Sequence, residues 1–490
     1  MEIQKNSALA SHHPSVHVVG GGLAGSEAAW QIARAGIPVI LYEMRPVKMT
    51  PAHQTGNLAE LVCSNSMKSM DKSSAPGLLK AEMTALDSVI IRSAMVARVP
   101  AGQALAVDRI VFASAVKDGL LESGMVTIDG HEITTLPTQE EAAARNEYWI
   151  VASGPLTSQP LAEALQKLTG SERSLYFYDA IAPVLAAESI DMDHAFRADR
   201  YGEGDCGDYL NVPLNREEYE AFIDAASAAE KMPLHSFEEP KYFESCLPIE
   251  VMIERGRDTL RFGPMKPVGL TNPKTGHRPW AAIQLRQENH EATMYSMVGF
   301  QTKMKWPEQK RVFAMIPALR QVEILRYGSI HRNTYLKSPE FLAKDLSFKN
   351  APRIFLAGQI TGVEGYTESA AIGLLAGRAC IAKIRGEDFV MPPRDTMLGA
   401  LGHYVTQGCL GPYQPMNANF GLLPPPPLPA ALPPSPEGAA AIDGPPRKKP
   451  KKLNKADRKS VMAARAQQSF AAWQLHITGS PGTSPQNQLV

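Results

Sequence analysis

The chain has 490 residues, 44% apolar and 20% charged, with 50 Lys plus Arg balanced by 50 Asp plus Glu. That composition excludes an intrinsically disordered chain, and the length implies two or three domains, each with a core of its own. No apolar run reaches the roughly 18 residues that span a bilayer, the N-terminus lacks the apolar stretch of a signal peptide, and five cysteines without a CxxC pair argue against a disulfide framework or a zinc knuckle. The expectation is a cytoplasmic protein with no membrane contact and no resident metal.

In chain order, residues 1–15 are predicted to be disordered. Val16 to Val19 then reads as a strand, followed at once by Gly20-Gly21-Gly22-Leu23-Ala24-Gly25, which contains G-x-G-x-x-G, and by a helix from Ser26 to Ala35. A strand, a tight glycine turn and a helix N-terminus let backbone N–H groups approach a pyrophosphate without obstruction by Cβ atoms. A second strand, Pro38 to Tyr42, ends at Glu43, 18 residues beyond Gly25, where an acidic side chain can accept the hydroxyls of an adenosine ribose. A return strand follows at Trp149 to Ala152. Late in the chain Arg353 to Ala357 leads into Gly358-Gln359, a loop to Thr367 and a helix from Glu368 to Lys383. One nucleotide gripped from the first strand and again from a late strand and helix is the pattern of an FAD domain interrupted by an insertion. A NAD-dependent dehydrogenase leaves the late junction unexplained.

The expected fold is therefore α/β: an FAD-binding Rossmann-like domain, glutathione-reductase-like, interrupted by an inserted α+β domain. Its first part spans 16–160, the inserted substrate and RNA domain 161–335, and its second part 336–423. Charge supports an RNA role for the insertion, because Arg255 to Lys337 carries 15 basic and 5 acidic residues. Beyond 423 the composition changes. Eleven prolines between Pro424 and Pro450 predict an extended linker over 424–452, and 453–490 holds a basic run and a predicted amphipathic helix from Lys455 to Trp473.

The runs GGGLAGSEAAWQIARAGIPVILYEMRP, TPAHQT, AELVCSNS, PAGQALAVDR, ESCLPIEVM, RGRDTLRFGPMKPVGL, QLRQEN, VGFQTKMKWPEQKRVF, HRNTY, LAGQITGVEGYTESAAIGLLAG and PMNANFGLLP span nearly all of Val16 to Pro424. They resemble the folate- and FAD-dependent tRNA uracil-5-methyltransferases, the TrmFO family, related to GidA-type flavoproteins. The resemblance implies 5-methyluridine formation at position 54 of the tRNA T-loop. The methylene would come from 5,10-methylenetetrahydrofolate and the reduction from FADH2 regenerated by NADH or NADPH. The partner implied is tRNA, with no obligatory protein partner evident. The proline-rich tail and the residues before the first strand look like departures from the family.

Uracil C5 is a poor nucleophile, so this chemistry needs a thiolate that adds at C6 and generates an enolate. The resemblance gives that role to Cys246 in ESCLPIEVM and an assisting role to Cys63 in AELVCSNS, while Cys206, Cys380 and Cys409 read as ordinary residues. His53 and His331 are candidates to meet a pterin. Glu364 and Glu368 flank the late glycine loop, with helix capping the stronger expectation for them. Arg257, Arg261, Lys266 and Arg286 are candidate phosphate contacts. The motifs leave open the same chemistry on a ribosomal RNA uridine, or a non-catalytic flavin- and RNA-binding protein.

Overall fold

The structure, a computed structural model, describes residues 14–170, 175–200, 207–232, 247–408, 413–425 and 455–478, with the backbone alone at 175–180, 331, 332, 455–457 and 478. The first core is built on a six-stranded sheet. Its order is Ser347–Phe348, Ala351–Leu356, Glu147–Val151, Ser15–Val19, Val39–Tyr42 and Val126–Asp129. All neighbours run parallel except the short first strand. Val16, Val18, Leu41, Ile150 and Val151 are buried, as strands covered on both faces require. The helix Leu23–Arg34 starts three residues earlier than its sequence pattern indicates, because Gly22 serves as its N-cap and the second half of the glycine run is already helical.

The second core belongs to an antiparallel six-stranded sheet ordered Phe196–Arg197, Leu210–Leu214, Ala281–Gln287, Met294–Met297, Val184–Ala186 and Ile324–Arg326. The helix Arg216–Ala228 packs on it through Tyr219, Phe222 and Ile223. The chain passes from the first core to the second along Leu175–Ala180 and returns along Ile330–Tyr335, and these two segments pair antiparallel as a ribbon. Residues of the first core therefore come from both sides of the second in sequence.

The last described element is the helix Lys455–Thr478. Met462, Ala466, Phe470 and Trp473 recur at helical spacing and are buried in the first core. Polar ties hold it in register: Trp473 Nε1 donates to the Val390 carbonyl at 3.2 Å, Gln474 Nε2 to the Ala85 carbonyl at 2.9 Å, and Ser469 Oγ to Asp395 at 2.7 Å. Trp473→Ala is expected to destabilise the protein by about 3 kcal/mol, the loss typical of a buried aromatic. Thermal melting of the flavin-loaded protein checks this, and an unchanged melting temperature would show that the helix contributes nothing to the core. The basic run before the helix lies largely outside the described residues.

Candidate active site

Two helix N-termini and a set of glycines make a cleft at the C-terminal ends of the central parallel strands Glu147–Val151, Ser15–Val19 and Val39–Tyr42. The backbone leaves the first strand at Gly20 with φ +104°, and a Cβ there would sit 2.6 Å from the Ala152 carbonyl. At Gly25 a Cβ would lie 1.8 Å from the carbonyl of Gly20, so the turn itself demands glycine at both ends. Gly22 differs, since a Cβ there meets nothing within 4 Å and points into open space. The helix Tyr366–Arg385 is drawn against Leu23–Arg34 by Gly373, whose Cβ would lie 2.1 Å from the Ala24 carbonyl. Neither helix has a side-chain cap, whereas Ser74, Ser88, Asp108 and Thr396 cap theirs. Among the described residues no side chain accepts from the first-turn N–H groups of these two helices. The cleft, about 1060 Å³ counted out into open solvent, is lined by Gly20, Gly22, Leu23, Ala24, Glu43, Gly358 and Gln359, while Gly21 and Gly25 lie behind its surface.

Glu43 is buried at the cleft wall and its carboxylate is filled. Oε2 accepts from Gly21 N at 3.0 Å and Arg45 Nη2 at 2.8 Å, and Oε1 from Arg45 N at 3.0 Å and Nε at 2.9 Å. Burial pushes this carboxyl upward, but the hydrogen bonds and charge of Arg45 prevail and hold it below its ordinary value. All four lone-pair sites are in use, so a ribose hydroxyl binds Glu43 only by replacing one of these donors.

A second chamber of about 1330 Å³ opens beside the first and shares Val62, Pro155, Leu156, Gln359 and Tyr366 with it. Cys63, Lys68, Arg286, Glu364 and Glu368 line it. The loop carrying Cys63 is clamped from several directions. Tyr366 Oη accepts from the backbone N–H of Cys63 at 2.6 Å and of Ser64 at 3.1 Å. Arg109 Nη1 donates to the Leu61 carbonyl, and Arg326 Nη2 to the Cys63 carbonyl at 3.1 Å. Arg286 Nε donates to Asn65 Oδ1 at 2.8 Å, and Asn65 Nδ2 to the Gln287 carbonyl at 2.9 Å. Glu288, 3% exposed, accepts from Arg109 Nε at 2.8 Å. Burial pushes the Glu288 carboxyl upward, yet the charges of Arg109 and Arg286 outweigh it and leave it below its ordinary value. Burial, with the repulsion of Arg109, pushes Arg326 down to about 10.

Glu364 accepts from Gln359 Nε2 at 2.8 Å. Glu368 stands in the first turn of its helix, but its bonds run elsewhere: Oε1 accepts from Lys68 Nζ at 2.8 Å and from Ala418 N at 3.0 Å. The capping expectation for Glu368 therefore gives way to a bridge between two loops, and its buried Oε2 has no hydrogen-bond donor among the described residues.

The remaining sequence candidates divide. Cys246 lies outside the described residues, as do Cys206 and Cys409. Cys380 is buried in the helix Tyr366–Arg385, where burial pushes its thiol far up, so it is inert packing. His53 lines the first cleft with Nδ1 2.6 Å from Thr50 Oγ1, and His331 is on the ribbon with its side chain outside the described residues. Arg286 is 7% exposed and belongs to the Cys63 clamp, so it is not a surface phosphate contact. Arg257 is neutralised by Glu220 and Asp224, both at 2.6 Å. Arg261 and Lys266 border a separate groove.

A model of the family "GIDA: Glucose inhibited division protein A" matches residues 15–388. A protein of Desulforudis audaxviator (strain MP104C), named "Methylenetetrahydrofolate--tRNA-(uracil-5-)-methyltransferase TrmFO", is 54% identical over 411 residues, covering 84% of this chain and 91% of that protein. The chain belongs to the TrmFO family. A TrmFO of Myxococcus xanthus (strain DK1622) is 47% identical over 483 residues, 98% of this chain and 99% of the relative. That coverage reaches into the proline-rich tail, which this relative therefore shares, whereas the Desulforudis audaxviator relative matches 84% of the chain. The GidA of Aquifex aeolicus shares the fold, with a TM-score of 0.61 at 15% identity over 83% of this chain and 69% of that one.

Asn65, Arg109, Glu288 and Arg326 carry no local signal of this role: Asn65 lies between two serines, Arg109 follows Asp108, and Glu288 lies between Gln287 and Asn289.

Proposed function

We propose that this protein forms 5-methyluridine in tRNA, at position 54 of the T-loop, with 5,10-methylenetetrahydrofolate as carbon donor and NADH or NADPH as reductant. The observation that carries the proposal is the adjacency of the two chambers, which sets the glycine-lined cleft against the Cys63 chamber across a wall shared by Val62, Pro155, Leu156, Gln359 and Tyr366. In this reading Gly20 to Gly25 would hold the pyrophosphate of FAD, Glu43 would meet its adenosine ribose, and Gly358 and Gln359 would border its ring system. The cleft fits such a group: two uncapped helices supply N–H donors, and Gly22 leaves room for the phosphates. Bound and reduced, FAD supplies the hydride that takes a methylene to the methyl level.

The protein's own residues do the rest. Cys246 as thiolate adds to uracil C6, and the enolate so formed makes C5 the nucleophile toward the methylene carbon. Transfer of the C5 proton to a base expels the folate nitrogen from the methylene carbon, hydride addition to that carbon makes the methyl group, and departure of the thiolate from C6 restores the ring. Ile249, three residues beyond Cys246, donates its N–H at 2.8 Å to the carbonyl of Gln301, which lines the Cys63 chamber. Cys63, held by Tyr366, Arg109 and Arg326, assists from the chamber wall. The second core, with its basic excess, presents the RNA. No helix among the described residues is long and apolar enough to cross a membrane, and we place the reaction in the cytoplasm with the tRNA pool.

Mass spectrometry of nucleosides from tRNA incubated with the protein, methylenetetrahydrofolate and NADPH is expected to show 5-methyluridine. Cys246→Ala is expected to keep flavin binding and NADPH oxidation while losing methyl transfer, because flavin reduction needs no thiolate and C6 addition does. Methylation near the wild-type rate by that variant would remove Cys246 from the mechanism.

A further inference from the structure

On the second core, at the opposite end of the strand Ala281–Gln287 from Arg286, lies a groove of about 2190 Å³. At about 3.3 Å per residue the two ends of that strand are about 20 Å apart, so the groove is distinct from the Cys63 chamber. Five cations, Arg216, Arg261, Lys266, Lys274 and Arg278, line it against two carboxylates, Asp193 and Glu218. Glu218 is engaged in the helix cap with Asn215 at 2.8 Å, and Asp193 faces Lys274 at 3.8 Å. Asp258 pairs with Arg261 at 3.3 Å, and the cations still outnumber the carboxylates by five to three.

Its aromatic content is unusual for a solvated basic surface. Two guanidiniums lie over the Trp280 ring, Arg261 at 3.7 Å and Arg216 at 5.3 Å from its centroid. The indole N–H is shielded from solvent and has no acceptor among the described residues. Beside it Phe262 is 81% exposed and Val268 50% exposed. Phe262 follows Arg261 on a short helix whose other side is anchored by buried Leu260, so the ring is held outward. An outward ring next to a row of cations matches unpaired RNA: a base stacks on the ring and phosphates meet the cations.

We infer that this groove is a second RNA-docking site that holds an unpaired segment of the tRNA away from the reacting uridine, with Phe262 as the stacking platform and Arg278 among the phosphate contacts. The inference rests on tRNA being the substrate. It also gives Arg261 a positioning role: its guanidinium is fixed by the Trp280 face and by the Trp280 carbonyl at 3.0 Å.

The test uses the full, flavin-loaded chain and full-length tRNA, with Phe262→Ala and Arg278→Ala compared to wild type. Affinity is measured across a salt series, alongside NADPH oxidation and sedimentation. Phe262→Ala is expected to weaken binding by about tenfold without changing the salt slope. Arg278→Ala is expected to lower the slope by about one. NADPH oxidation should stay at the wild-type level in both, which also reports that each variant is folded. Wild-type affinity and slope in both variants, with a wild type that methylates tRNA, would overturn the groove assignment alone. A change of oligomeric state in Phe262→Ala at unchanged tRNA affinity would overturn it in favour of a contact between copies of the chain. A wild type that neither binds nor methylates tRNA would remove the functional reading, and the groove assignment with it.

Discussion

Gly25→Ala is expected to disrupt the nucleotide loop and much of the first core, whereas Gly22→Val should leave the fold intact and abolish FAD binding. The two positions lie three residues apart in one motif, yet they answer to different atoms. At Gly25 a Cβ would lie 1.8 Å from the carbonyl of Gly20, a backbone atom held in place because Gly20 N donates to the Tyr42 carbonyl at 2.8 Å. No rotamer relieves that clash, so the strand and helix must separate. At Gly22 the backbone is extended, φ −75° and ψ −170°, which valine tolerates, and the new side chain projects into the cleft. Its methyl groups would then occupy the approach of the pyrophosphate. Melting temperature and flavin absorbance of the purified variants separate the two effects. A Gly22→Val protein that stays yellow would place the dinucleotide elsewhere, and a Gly25→Ala protein as stable as wild type would contradict the close approach seen here.

Arg109→Met should cost about 3 kcal/mol at neutral pH, because it strands Glu288 as a buried carboxylate facing only the more distant charges of Arg286 and Arg326. Its pH dependence follows from the direction of the shift. In the wild type Glu288 sits below its ordinary value, so its stabilising contribution is fully present above about pH 4.3 and is lost as pH falls through the folded value. Without Arg109, burial moves that carboxyl upward, and the destabilisation grows as pH rises. The gap between wild type and variant is therefore smallest in acid and widest near neutrality. Melting temperatures from about pH 4.5 to pH 8 test this, and a gap constant over that range would show that the charge pair is not the cause. Adding Glu288→Gln to the variant should recover part of the loss, since no unpaired charge then remains. Methyl transfer should fall in Arg109→Met even where it is folded, because Arg109 also holds the Leu61 carbonyl beside Cys63.

Much of this protein is set by neighbours in sequence. Val16 to Val19, the glycine run and the helix after it specify the strand, turn and helix together, because backbone conformation and Cβ sterics act over a few residues. Periodic Met462, Ala466, Phe470 and Trp473 likewise mark a helix with one apolar face, whatever that face meets. The surface it meets, near Ala85 and Val390, could not be read from that pattern, since packing partners are chosen by shape across hundreds of residues. The same limit applies to charge. Arg257 and Arg286 look alike as basic residues in a basic segment. Folding pairs one with Glu220 and Asp224 at the surface and buries the other against Asn65, 221 residues away. Glu43 has the spacing of a ribose ligand, but only the folded loop shows Arg45 and Gly21 N already on its oxygens. Local sterics and periodicity thus determine elements, whereas the fate of a charged side chain depends on how deeply the fold desolvates it and which opposite charge it brings within hydrogen-bond reach.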